Sequence, residues 1–165
     1  MSLYKAIISA ISALFLLSAC QTLSTAELRD QTQDELDRIA LPEASSRLDQ
    51  IFLRHLDNNL AQNEALRDLA LSTSLSVASS STLSVKGKSS SLSKSTMTLT
   101  YDITDRVSKE RLTSGTLTAT ATSGTVTSYY GQEQSKKFIS ERLARTLGDR
   151  LAQTLRLFFL NHKTP

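Results

Sequence analysis

Three stretches of the chain change character at every second residue. Leu69, Leu71, Thr73, Leu75 and Val77 alternate with Ala70, Ser72, Ser74, Ser76 and Ala78; Met97, Leu99, Tyr101 and Ile103 alternate with Thr96, Thr98, Thr100 and Thr104. A third segment opens at Arg111 and runs to about Ala121, carrying Leu112 and then Leu117, Ala119 and Ala121. Successive side chains on a strand point to opposite faces, so each stretch reads as a strand with one apolar face and one wet face. The β-branched threonines suit the wet side of a pleated surface. Such a sheet is stable only if another layer covers its apolar side, and that requirement narrows the fold more than any other feature.

Two helical patterns can supply the cover. Leu48, Ile51, Phe52, Leu56 and Leu60 fall at spacings of three and four, while Arg47, Asp49, Arg54 and Asp57 face away, which predicts a helix over about Ser45–Leu60 with Ser46 and Asp49 at its cap. Ile139, Leu143, Leu147, Leu151, Leu155 and Phe159 repeat every four residues, with Phe138, Ala144 and Phe158 widening the stripe. They predict a long helix over about Gln132–Leu160, in which Gly148 marks close packing. A short strand over Leu36–Leu41 ends at Pro42. The serine-rich stretch from Ser79 to Ser95 reads as a solvated loop, and Asp105–Glu110 as a turn. The slip between Leu112 and Leu117, with Gly115 in the gap, calls for a β-bulge.

The resulting order is β-α-β-β-β-α. It predicts an α+β two-layer sandwich, a mostly antiparallel sheet with two helices packed on one face. Residues 34–161 form this single domain and 162–165 a C-terminal tail. A length of 165 residues and 39% hydrophobic content suit one modest core.

Composition argues for binding rather than catalysis. Nineteen Lys plus Arg stand against 16 Asp plus Glu, an excess too small to point to nucleic acid, and the absence of Trp disfavours base-stacking surfaces. His55 and His162 have no cysteine, histidine or carboxylate at metal-ligand spacing and read as boundary or surface residues. No serine lies in a G-x-S-x-G elbow, and five glycines leave no phosphate-cradling loop. Catalytic residues, metals and cofactors are therefore not expected.

One region is short of acids. Between Leu69 and Thr100 no carboxylate occurs, while Lys86, Lys88 and Lys94 cluster in the serine-rich stretch and Arg106, Lys109 and Arg111 gather around the next turn. If these turns lie side by side, they concentrate positive charge at one edge, attractive to phosphate or carboxylate groups. The plainer alternative is that the lysines keep a loop and a strand edge soluble.

The N-terminus carries an address. Lys5 precedes an apolar run from Ala6 to Leu17, followed by the small residues Ser18 and Ala19. About a dozen apolar residues fall short of the ~20 needed to span a bilayer, so residues 1–19 read as a cleaved signal peptide. Leu17-Ser18-Ala19-Cys20 resembles the bacterial lipobox, and Cys20 is the only cysteine. The resemblance implies a diacylglycerol-modified Cys20 thiol, cleavage before it and acylation of the new amine, and several acyl chains on one residue anchor firmly. Gln21 in place of Asp favours sorting to the cell outer membrane, and residues 20–33 form the lipidated N-terminus and a polar tether.

The lipobox, the element order, the stretch "STMTLTYDITDRVSKERLTSGTLTA" and the helix containing "ERLARTLGDRLAQTL" together resemble the LptE family of lipopolysaccharide-assembly lipoproteins in its alphaproteobacterial form. The likeness departs at Gln21-Thr22-Leu23-Ser24, where many relatives carry Gly-Phe and a Pro-Tyr pair. It implies a non-enzymatic protein on the periplasmic side of the outer membrane, seated in the lumen of an LptD-like β-barrel, helping that barrel assemble and helping deliver lipopolysaccharide to the surface. It also makes Lys86, Lys88, Lys94, Arg106, Lys109 and Arg111 candidate contacts for acidic barrel loops or lipid phosphates. Two other readings share the anchor and size: an auxiliary lipoprotein of a lipid-trafficking ABC transporter, and a lipid-anchored hydrolase.

Overall fold

The computed structural model describes residues 32–60, 67–82, 92–124 and 128–162. Cys20, Lys86 and Lys88, together with the signal peptide and most of the tether, lie outside the described residues. In chain order the elements are a helical segment α1 at 32–37, β1 (Ile39–Ala40), α2 (Arg47–Asn59), β2 (Leu69–Thr82), β3 (Leu92–Asp105), β4 (Arg111–Gly124) and α3 (Tyr129–His162).

The sheet order is β1-β2-β3-β4, with β1 parallel to β2 and the other pairs antiparallel. The sequence expectation of an α+β, mostly antiparallel sandwich therefore holds, with α1 added before β1. Where a strand was expected over Leu36–Leu41, the chain is helical to 37 and only Ile39–Ala40 pair with Leu69–Ala70. The reason is visible in Leu36 and Asp37, consecutive residues that are both buried, which breaks the every-second-residue burial of a strand, while the buried Thr32 lies one helical turn before Leu36.

On β3 the inward row is Ser95, Met97, Leu99, Tyr101 and Ile103, every one buried. Opposite it stand Leu71, Thr73, Leu75 and Val77 of β2 and Thr113, Gly115, Leu117, Ala119 and Ala121 of β4. The helices cover this face. From α3, Leu143, Leu147, Leu151, Leu155 and Phe159 are buried, and from α2, Phe52, Leu53 and Leu56. Each fully buried leucine or isoleucine of this set contributes about 1.5–3 kcal/mol relative to exposure.

Two local devices fix α2. Its cap residue Ser46 is extended (φ −137°, ψ 168°) and its hydroxyl accepts the Asp49 N–H at 3.1 Å, the cap the sequence predicts. The Ser45 hydroxyl donates to Asp49 Oδ2 at 2.6 Å and holds that carboxyl below its ordinary range. Against α2, Gly148 lets α3 approach so closely that a methyl there would sit 3.3 Å from both the Leu56 nitrogen and the Phe52 oxygen. The packing role inferred for Gly148 is thus observed.

Three expectations change. The serine-rich stretch is not wholly a loop: β2 continues through Thr82 and β3 starts at Leu92, with the Ser79 and Ser95 hydroxyls 3.1 Å apart across the ladder. The bulge falls at Leu112, not at Gly115, because Thr104 pairs with Arg111 and Ile103 with Thr113, leaving Leu112 without a ladder partner. Phe138 does not widen the buried stripe of α3 but is 63% exposed. At 1.5 Å per residue α3 spans about 51 Å and α2 about 20 Å, so the early turns of α3 run past the helix that would cover them.

Candidate interaction face

The face of the sheet turned away from the helices is a wall of hydroxyls. Reading across the three long strands, its rungs are Ser72–Asp102–Ser114, Ser74–Thr100–Thr116, Ser76–Thr98–Thr118 and Ala78–Thr96–Thr120. The residues on β2 and β4 are exposed, and those on β3 are exposed or half-buried between their neighbours. Strand spacing sets the rungs' members about 4.8 Å apart, and successive rungs lie about 6.7 Å apart along each strand. Its one carboxylate in these rungs, Asp102, accepts from Arg111 Nε at 2.5 Å and from the Thr104 hydroxyl at 3.2 Å. These four rungs therefore offer mostly neutral hydroxyls, each with one donor and two acceptor sites, and the next rung, Ser80–Lys94–Thr122, sets a cation at one end.

The wall ends at an edge strand on the β4 side, where Arg150 of α3 donates to the Thr118 backbone oxygen and covers part of the open edge. On the other side β1 pairs with only the first two residues of β2.

Of the basic residues singled out in the sequence, Lys94 and the Arg106, Lys109 and Arg111 group, which lie within the described residues, do not come together. Lys94 is exposed near the start of β3, paired in register with Ser80 and Thr122. Arg106, Lys109 and Arg111 surround the turn at the far end of the same strand. Consecutive antiparallel connections lie at opposite ends of a sheet, so positions 94 and 104 of β3 are separated by about 33 Å. Among the described residues, Lys94 and the turn bearing Arg106, Lys109 and Arg111 thus stand at opposite ends of β3.

At the Arg106 end the side chains are already engaged. Asp105 Oδ1 accepts the Val107 and Ser108 N–H groups at 2.7 and 2.9 Å, and these backbone donors, Ser108 first, hold its carboxyl below the ordinary range. Lys109 adopts φ 63° to close the turn. Arg106 donates to the Arg67 backbone oxygen at 3.2 Å, and Arg111 is tied to Asp102. Beside this turn a cleft of about 370 Å³ is lined by Glu35, Arg38, Asp105, Leu112, Phe158 and His162, among others. Leu112, the bulged residue, thereby gains a place against the aromatic end of α3.

Neither histidine behaves as a free surface group. His55 Nε2 lies 2.9 Å from Asp149 Oδ1, and Asn59 Nδ2 donates to the same oxygen at 3.0 Å. His162 stacks on Phe158 with ring centroids 4.0 Å apart. The His55 partner is on another helix, far along the chain, so no local spacing could disclose it. Among the described residues no group of three or more His, Cys, Asp or Glu side chains could hold a metal, and no helix is long and apolar enough to cross a membrane.

No protein-family model matches the chain, and no curated protein does. Solved structures do. A provisionally named lipoprotein of Caulobacter crescentus CB15 superposes with a TM-score of 0.63 at 13% identity, covering 82% of this chain and 99% of that one. A minor lipoprotein of Acinetobacter baumannii superposes with a TM-score of 0.53 at 19% identity, covering 72% of this chain and 90% of that one. The likeness is one of fold: this α+β architecture is the one those two bacterial lipoproteins adopt.

Proposed function

We propose that the chain is a lipid-anchored lipoprotein of the outer membrane, of LptE type, held by an acylated Cys20 on the periplasmic side and seated in the lumen of a large LptD-like β-barrel, where it helps the barrel assemble and takes part in delivering lipopolysaccharide to the cell surface. The observation that carries this reading is the hydroxyl wall. Barrel lumens are lined by polar side chains, and a broad, neutral face of Ser and Thr side chains can exchange hydrogen bonds with such a lining without stranding a charge. The fold shared with two lipoproteins and the lipobox-like Leu17-Ser18-Ala19-Cys20 supply the anchor. The acyl chains hold the domain at the inner surface of the membrane, where a barrel mouth opens. Lys86, Lys88, Lys94, Arg106, Lys109 and Arg111 meet acidic loops of the barrel or lipid phosphates.

The test is a pull-down of the full-length chain from outer membranes in mild detergent, with the co-purifying protein identified by mass spectrometry. Recovery of an outer-membrane barrel of about two dozen strands, with lipopolysaccharide, supports the reading. Recovery of an inner-membrane transporter instead, or of the chain alone, overturns it. Cys20→Ala is expected to abolish acyl labelling and to move the chain from the membrane to the soluble periplasmic fraction.

A further inference from the structure

The helix layer, on the side of the sheet opposite the hydroxyl wall, carries a second basic cluster. Arg47, Arg54 and Asn58 line up on one side of α2 at spacings of seven and four. With Gln50 and His55 they form one wall of a groove of about 160 Å³, and Arg145 of α3 stands on the other. The local acids do not balance this charge. Glu141 reaches Arg145 only at 3.5 Å, and Asp149 is occupied by His55 and Asn59. Arg47 and Arg54 make no ion pair among the described residues. Arg47 also occupies the first position of α2, where the helix end is itself positive and an acidic residue would be the favourable choice. Three arginines thus line one concavity, two of them without an ion pair among the described residues.

We infer that this groove binds a phosphate group, gripped by Arg47 and Arg54 from α2 and by Arg145 from α3, with Gln50 and Asn58 as neutral donors. The guanidinium fork matches the oxygens of a tetrahedral oxyanion, and cations on two helices suit a dianion better than a single carboxylate. A groove of this size holds one such group. The phosphate is either free in solution or the monoester headgroup of a lipid. The site shares no residue with the hydroxyl wall or with the two basic ends of the sheet, so it stands or falls separately from the barrel reading.

The experiment uses the full-length chain in neutral detergent at constant ionic strength. Inorganic phosphate and the short-chain lipid dihexanoyl phosphatidic acid are each titrated by calorimetry, with dihexanoyl phosphatidylcholine, whose phosphate is a diester in a zwitterionic headgroup, as the control. Saturable binding of one equivalent is expected, absent with the control. Arg47→Gln combined with Arg54→Gln weakens it by about tenfold or more, with the thermal midpoint of the ligand-free chain unchanged because both side chains are exposed and unpaired. Glu141→Gln, which frees Arg145, tightens it; a variant that binds no tighter overturns the role of Arg145. Stronger binding of phosphate marks the free ion as the ligand and stronger binding of the phosphatidic acid marks the headgroup, both upholding the site. Failure of both probes to saturate, or equal affinity in the double variant, overturns it.

Discussion

Tyr101 of β3 lies over Gly115 of β4. The two are register partners, and a methyl group at position 115 would stand 2.8 Å from the Tyr101 hydroxyl oxygen and 3.0 Å from two ring carbons. Tyr101 is 6% exposed and belongs to the hydrophobic core, so its ring cannot swing aside freely. Gly115→Ala is expected to destabilise the domain by about 1–3 kcal/mol, the usual range for overpacking. Tyr101→Phe in the Gly115→Ala background should recover only part of this, since two of the three close atoms remain. Denaturant midpoints of the two single variants and the double variant measure the coupling.

Gly148 gives a different balance. Replacing it with Ala gains about 1 kcal/mol of helix propensity but sets a methyl 3.3 Å from backbone atoms of α2 that have little room to yield. The two effects nearly cancel, so Gly148→Ala should leave stability within about 1 kcal/mol of the parent. Gly148→Leu has no such offset and should separate the helices, with a loss of several kcal/mol. Equilibrium unfolding followed by circular dichroism distinguishes the pair.

These positions show what the sequence could and could not convey. The alternation from Met97 to Ile103 and the four-residue repeat from Ile139 to Phe159 depend only on neighbours along the chain, so strands, long helix and layer order were legible. The role of Gly148 was too, because a glycine in mid-helix needs a reason. Gly115 stands out in the sequence, but its reason is Tyr101 on another strand, and the bulge that repairs the register belongs to Leu112. The serines at 79–82 and 92–95 looked like a loop because low complexity hides the alternation that pairing reveals. The basic residues were found individually, yet their separation follows from antiparallel topology, which composition does not encode. The groove between α2 and α3 needed the structure, although the seven-residue spacing of Arg47 and Arg54 was there to be read.

Arg38 clamps the start of the sheet. Its Nε and Nη2 donate to both oxygens of Asp68 at 2.9 and 2.6 Å, its Nη1 reaches Glu35 at 2.7 Å, and its backbone oxygen accepts from Leu69. The Arg38 hydrogen bonds hold the Asp68 carboxyl below its ordinary range. A lowered carboxylate pKa stabilises the fold above the unfolded value near 3.9, and the benefit is lost as pH falls through the folded value. Both side chains are about a third exposed, so solvent screening limits the effect to about 1 kcal/mol. Asp68→Asn should lower the thermal midpoint by about 2–6 °C at pH 7, and the gap from the parent should close as the pH drops below about 4. Melting curves from pH 3 to 7 test both the sign and the window.

The two basic ends of the sheet should act independently. Sites separated by well over 10 Å with no shared partner contribute additively, and salt screens charges at such distances. If both ends contact the proposed barrel or its lipid, reversing Lys94 and reversing Arg106 and Lys109 should each weaken association, with the combined variant losing the product of the two factors. Association is read by co-purification and by lipopolysaccharide retained. Two charge reversals that leave both readouts unchanged would remove these residues from the interface.

The hydroxyl wall makes the sharpest demand. Thr98 is at its centre, with Ser76 and Thr118 as its register partners on either side. Its register neighbours are small and no described helix packs on its face, so an arginine at 98 can extend outward and the domain should lose no more than about 0.5 kcal/mol, as surface substitutions do. Against a barrel wall the same arginine has nowhere to go: it must push the surfaces apart or bury an unpaired charge, either costing several kcal/mol. Thr98→Arg and Thr118→Arg should therefore melt like the parent yet fail to co-purify the barrel, while Thr98→Ser remains competent in both. A wall that tolerates arginine at both positions without loss of association is not the surface that meets the partner.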